Sequence, residues 1–178
     1  EKKAVQRQIE FMAYHDALTE LPNRVLGKQC AQEAMVRAHR YGYQVGILFM
    51  DLDHFKLVND TWGHSVGDKL LQAVAQRLRA HVRQEDTLCR LSGDEFMLIL
   101  EHIREVKHIA SACEHVLAKL SQPYAIDGRL IQTSLSVGIS VYPGDGDSEE
   151  DLLRKADTAM FEAKQGGRNT YRFFDPAM

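Results

Sequence analysis

Apolar and polar residues follow three rhythms along this chain, and each predicts an element. VGILFM (45–50) is an unbroken apolar run between Gly42 and Asp51, as expected of a central strand covered on both faces. Residues 130–142 alternate, with Ile131, Thr133, Leu135, Val137, Ile139 and Val141 on one side. They read as the long arm of a hairpin that turns at Asp127-Gly128 and is opened by Tyr124–Ile126. Helical spacing appears at Leu26, Cys30, Ala34, Met35 and Ala38, in a helix that Asn23 caps and that runs to about Arg40. It returns at Val66, Leu70, Leu71, Val74 and Leu78, and across 103–120.

Shorter signals fill the gaps. A brief helical segment spans Phe55 to Asn59. Residues 87–91 and 95–100 are two strands joined tightly through Ser92-Gly93. Ser148 and Asp151 have the spacing of a capping box opening a helix to about Lys164, which Gly166-Gly167 ends before a last strand in TYRFF. Residues 1–16 form a polar helix whose stripe of Val5, Ile9 and Met12 is too short to bury much alone. It reads as a connecting helix, the tail of a coiled coil, or a flexible end. One domain is expected over 17–178. Crossovers mixed with hairpins predict an α+β (α/β) fold with a mixed, mostly antiparallel central sheet wrapped by helices.

Composition narrows the classes. The 178 residues suit one core, and 44% apolar with 26% charged residues argues against disorder. A net charge of -3 supplies no basic field for nucleic acid, so phosphate ligands need local cations. Cys30, Cys89 and Cys113 are odd in number and far apart, which suits buried thiols in a reducing, cytoplasmic compartment. No apolar run approaches the ~20 residues of a membrane span, and the N-terminal segment does not read as a signal peptide.

Four groups of residues carry candidate chemistry. Asp51 and Asp53 end a strand, and Asp94 and Glu95 sit at a hairpin; if the strands are neighbours, the carboxylates converge. Gathered acids repel and call for a cation, and oxygen-only ligands suit Mg²⁺. Lys56, Lys164 and Arg168 are the cations at hand. Lys164 alone also reads as a last-turn lysine complementing the helix dipole, whereas Arg168 follows two glycines that permit close approach. Acids with a few cations suggest a metal–triphosphate site. Asn59, His64 and Asp68 have groups suited to a base edge, but Ser65 to Asp68 also has capping-box spacing. Arg83, in RQED, complements the end of the preceding helix.

These residues fall into motifs. HDALTELPNR (15–24), FMDLDHFKLVNDTWGHSVGD (49–68), RLSGDEF (90–96) and ADTAMFEAKQGGRN (156–169) resemble the GGDEF diguanylate cyclase family over nearly the whole chain. The resemblance implies a sheet related to the palm of nucleotide cyclases and polymerases. It also implies condensation of two GTP into cyclic di-GMP and two pyrophosphates, by a homodimer in which each domain holds one GTP. It assigns Asp51, the Leu52 carbonyl, Asp94 and Glu95 to Mg²⁺ (or Mn²⁺), with Asp94 or Glu95 as the base. Asn59 and Asp68 would read guanine, with His64 close by. Lys56, Lys164, Arg168 and the amides near His54 and Phe55 would hold the triphosphate. Arg83 and Asp86 match an inhibitory RxxD product site, since Thr87–Leu91 are the five residues separating it from the signature.

The departure is Ser92, where the family's first glycine belongs. It leaves every metal and phosphate ligand in place, and at a positive φ it would cost on the order of 1 kcal/mol. The alternative to an active cyclase is a catalytically weak GTP-binding or cyclic di-GMP-binding module regulating an attached domain, such as a phosphodiesterase. The parent chain is expected to carry further domains that can anchor it to a membrane, and this domain is expected to touch neither membrane nor nucleic acid.

Overall fold

The computed structural model describes all 178 residues. Strand β1 (Gln44–Leu52) occupies the centre of a five-stranded sheet. On one side it pairs antiparallel with β3 (Glu95–Ile103), which pairs with β2 (Thr87–Ser92). Two short strands, β4 (Tyr124–Ile126) and β5 (Arg129–Ile131), form a separate hairpin. On its other side β1 pairs antiparallel with β6 (Leu135–Tyr142). Strand β7 (Thr170–Phe173) adds the only parallel pairing, against β6. The expected mixed, mostly antiparallel sheet is the fold observed.

The unbroken apolar run of β1 has the predicted cause. Leu48, Met50 and Leu52 enter a larger core on one face, and Val45, Ile47 and Phe49 a smaller core on the other. The larger core is closed by α4 (His64–Ala80) and α5 (Val106–Leu120), the smaller by α2 (Arg24–Tyr41) and α6 (Glu149–Gln165). Each such side chain contributes about 1.5–3 kcal/mol by leaving water. Helix α3 (Phe55–Trp62) follows β1 directly.

Several local expectations are corrected. The alternating 130–142 segment is not one hairpin arm: β5 stops at Ile131, and β6 leaves for the central sheet, because Leu135, Val137, Ile139 and Val141 belong to the main core. Residues 103–105 are not helical, since β3 runs on to Ile103. In α2, Leu26 and Cys30 are only half-buried, and the inward stripe is Gly27, Ala31, Ala34, Met35 and Ala38. Cys30 is therefore no buried thiol, unlike Cys89 and Cys113. Ser148 caps α6 through the Asp151 N–H, but the Asp151 carboxylate turns to Arg154 and Lys155, so the box is half made. Helix α1 (Lys2–Tyr14) buries nothing.

The small side of β6 decides where α6 lies. Its residues facing that helix are Ser136, Gly138 and Ser140, and the Ser140 hydroxyl donates to the Leu152 carbonyl (2.6 Å). A Cβ on Gly138 would lie 1.9 Å from the Ala156 carbonyl oxygen and 2.1 Å from the Met160 nitrogen. Backbone thus packs on backbone, and the C-terminal turn of α6 is carried to the end of β1. Gly138→Ala is expected to cost at least about 1–3 kcal/mol, since rigid backbone must move. Urea unfolding reads this directly; an unchanged midpoint would contradict the close approach.

Candidate active site at the carboxyl end of the central strand

Asp51 is the last but one residue of β1 and 8% exposed. Its Oδ2 accepts from the Lys164 ammonium at 2.6 Å, and its Oδ1 is buried with no hydrogen-bond partner. Leu52 ends the strand, and its N–H donates to the Asp94 carbonyl (3.2 Å). Strands β1 and β3 are neighbours, so the condition for convergence is met. The Asp94 carboxyl is pushed up to about 7, first by burial and then by the Asp51 carboxylate that faces it, with Lys164 opposing. Glu95 is the cross-strand partner of Asp51, which sends both side chains to one face. Glu95 accepts from the Ser92 hydroxyl at 2.8 Å.

The hairpin carrying these acids is braced from outside. Arg90 donates twice to the Gly93 carbonyl (2.9 and 2.7 Å) and twice to Asp16 (2.9 and 3.0 Å). Gly93 takes the positive φ of the turn (48°), and Ser92 does not. The strain feared for Ser92 is therefore absent.

Asp53, grouped with these acids on sequence, does not join them. Its carboxylate is saturated by the Ser134 hydroxyl (2.6 Å), the Ser136 hydroxyl (2.5 Å) and the Asn169 N–H (3.0 Å), so it ties β1 to β6 and to the segment before β7. Asp157 was missed on sequence and lies beside Asp51. Its carboxyl is raised by burial and then by the charge of Asp51. Its place seven residues before Lys164 puts both on one face of α6, a spacing that could have flagged it.

The residues expected around a nucleotide lie on the elements that follow. His54 is the N-cap of α3 at φ 59°, ahead of Phe55 and the exposed Lys56. Asn59 points its Oδ1, buried and unpartnered, at Gly67 of α4; a Cβ there would sit 1.8 Å away. Gly67 is what admits this side chain. His64, the first residue of α4, and Asp68, one turn further on, are exposed. The capping box expected at Ser65–Asp68 does not form, because the helix already starts at His64 behind Gly63, with no side-chain cap. Arg168 follows Gly167 in left-handed conformation (φ 63°) beyond α6.

Arg83 and Asp86 lie apart, before β2, whose six residues separate them from the hairpin by about 17–20 Å. Arg83 forks onto Asp86 (3.0 and 2.9 Å) and donates to the Glu101 carbonyl (2.8 Å). Asp86 also accepts from the Glu101 N–H. A cavity of about 470 Å³ lined by Arg79, Arg83, Gln84 and Asp86 opens there.

These residues suit a divalent cation bound with phosphate. No three potential ligands are gathered into an all-protein cage. Two facing carboxylates, one with an orphaned buried oxygen and the other driven toward protonation, form the half-site that Mg²⁺ takes with one or two carboxylates plus substrate phosphates.

The chain and its fold have known relatives. The family model described as diguanylate cyclase, GGDEF domain, matches residues 13–170. The bifunctional diguanylate cyclase/cyclic di-GMP phosphodiesterase MucR of Pseudomonas aeruginosa is 46% identical over 172 residues, which is 97% of this chain and 25% of that protein. The GGDEF domain of TpbB from the same organism superposes with a TM-score of 0.88 at 36% identity, covering 90% of this chain and 94% of that one. The coiled coil and GGDEF domain of DgcB from Caulobacter crescentus, solved with c-di-GMP, gives 0.85 at 26% identity, covering 96% and 91%. The chain spans about a quarter of the length of the first curated relatives it matches.

Proposed function

The chain belongs to the GGDEF family of diguanylate cyclase domains, and on that premise we propose that it condenses two GTP into cyclic di-GMP with release of two pyrophosphates. The observation that carries this is the convergence of Asp51, Asp94 and Lys164, with an unpartnered Asp51 oxygen and an Asp94 carboxyl raised to about 7. Asp51, the Leu52 carbonyl, Asp94 and Glu95 hold Mg²⁺ (or Mn²⁺), which when bound neutralises phosphate charge. Lys164, Arg168, Lys56 and the amides at His54 and Phe55, opening α3, hold the triphosphate. Asn59 and the Asp68 carboxylate read the edge of guanine, with His64 beside them.

The 3′-hydroxyl of one GTP attacks the α-phosphorus of the other. The O3′–P bond forms, the bond to the bridging oxygen breaks, and pyrophosphate leaves with the electron pair. The hydroxyl proton passes to Asp94 or Glu95. One domain brings one GTP, so two copies face each other, and positioning supplies much of the rate. Product binds at Arg83 and Asp86, where guanine competes with the existing Arg83–Asp86 fork. The domain acts in the cytoplasm, as one part of a longer chain.

The test incubates the protein with GTP and Mg²⁺ and identifies the product by mass spectrometry over a dilution series. Cyclic di-GMP should appear, with specific activity rising with protein concentration and falling when product is added at the start. Specific activity flat on dilution of a monomer would remove the two-copy mechanism. A second reading, a weak nucleotide-binding module serving another domain, is favoured by Ser92 and by the names of relatives that include phosphodiesterases. Nucleotide binding without product would establish it.

A further inference from the structure

The two acids of the hairpin face different neighbours. Asp94 meets Asp51 and Lys164. Glu95 is held by the Ser92 hydroxyl and lines a cavity of about 450 Å³ with Arg24 and Lys28 of α2 and Arg154 and Asp157 of α6. Its backbone nevertheless stands directly opposite Asp51, within reach of the same cation. We infer that Ser92 is a positioning residue that latches the Glu95 carboxylate toward β2, away from Asp51 on the opposite neighbouring strand, so that Glu95 would join Asp51 and Asp94 as a metal ligand only when the Ser92–Glu95 hydrogen bond opens.

The physical case is short. Glycine at this position has no group to offer Glu95, whereas serine donates a hydrogen bond to a charged acceptor across the tightest point of the hairpin. Ser92 keeps an ordinary φ, so the bond forms without backbone cost. A partly exposed hydrogen bond of this kind is worth enough to change cation affinity about threefold to tenfold. The latch weakens metal binding in this chain without removing a ligand. The inference rests on the proposal that Glu95 is a metal ligand.

The experiment titrates Mn²⁺ into the protein with a non-hydrolysable GTP analogue and counts bound ion by electron paramagnetic resonance. Ser92→Ala should bind Mn²⁺ about threefold to tenfold more tightly than the parent, and Ser92→Thr, which keeps the hydroxyl, should match the parent. Glu95→Ala should bind more weakly, and adding Ser92→Ala to it should change nothing further. If Glu95→Ala weakens binding while Ser92→Ala equals the parent, the latch is refuted and Glu95 stands as a ligand. If Glu95→Ala has no effect, both are refuted. If Ser92→Thr tightens binding as alanine does, the hydroxyl is not the cause and the latch again fails.

Discussion

Asp51→Ala and Asp51→Asn should lose GTP turnover by about 10²- to 10³-fold, as expected when one preorganised electrostatic anchor of a transferring phosphoryl group is removed. Asp51 serves twice: one oxygen holds Lys164 at 2.6 Å, and the other is buried without a partner. An unsatisfied buried acceptor costs about 1–3 kcal/mol, and the facing Asp94 adds repulsion. For fold stability the Lys164 ion pair is the one gain from an aspartate there, and the orphaned oxygen and the repulsion offset it. The metal-free variants should therefore melt no lower than the parent. Activity loss at an unchanged or raised melting temperature would separate function from unfolding. A variant retaining more than a tenth of the parental rate at limiting Mg²⁺ would remove Asp51 from the metal site.

The fold was legible where one physical demand dominates a segment. The β1 run had to be buried on both faces, and α4 showed its inward stripe at helical spacing. Legibility failed where two assignments share one pattern. Alternation across 130–142 marks strand, but nothing local says that Gln132–Ser134 break it and that β6 pairs with β1; the decision belongs to the main core. The small residues Ser136, Gly138 and Ser140 were visible, yet their meaning depends on a helix that follows in sequence and docks on them.

The site was legible as motifs and less so as geometry. Adjacent acids in sequence suggested a cluster of four, but a carboxylate's role follows from its donors. Three donors make Asp53 a structural tie, and their absence leaves the Asp51 oxygen open. Asp157 is separated from Asp51 by over a hundred residues and joins it only because α6 lies close on β6. Ser92 presented a backbone question on sequence. In the structure the question moves to its hydroxyl, since Gly93 already supplies the positive φ.

Metal affinity should fall about tenfold for each pH unit below 7, because binding must displace the Asp94 proton. That carboxyl sits at about 7 against an ordinary 3.8, by burial and by Asp51, with Lys164 opposing. Without metal, the folded chain holds between pH 4 and 7 a proton that the unfolded chain has released. Stability therefore falls as pH rises through that window and levels off above about 7. A cation reverses the trend, since it binds only the deprotonated form. Asp157 is raised in the same direction, by burial and by Asp51, so Asp157→Asn is the control that assigns the slope to Asp94. Calorimetric Mn²⁺ titrations at pH 5.5, 6.5 and 7.5, each in two buffers of different ionisation enthalpy, would count the proton. Close to one proton should be released at pH 5.5 and progressively less above 7. An affinity that changes less than threefold across that range, with no proton released, would mean that Asp94 does not bind the ion.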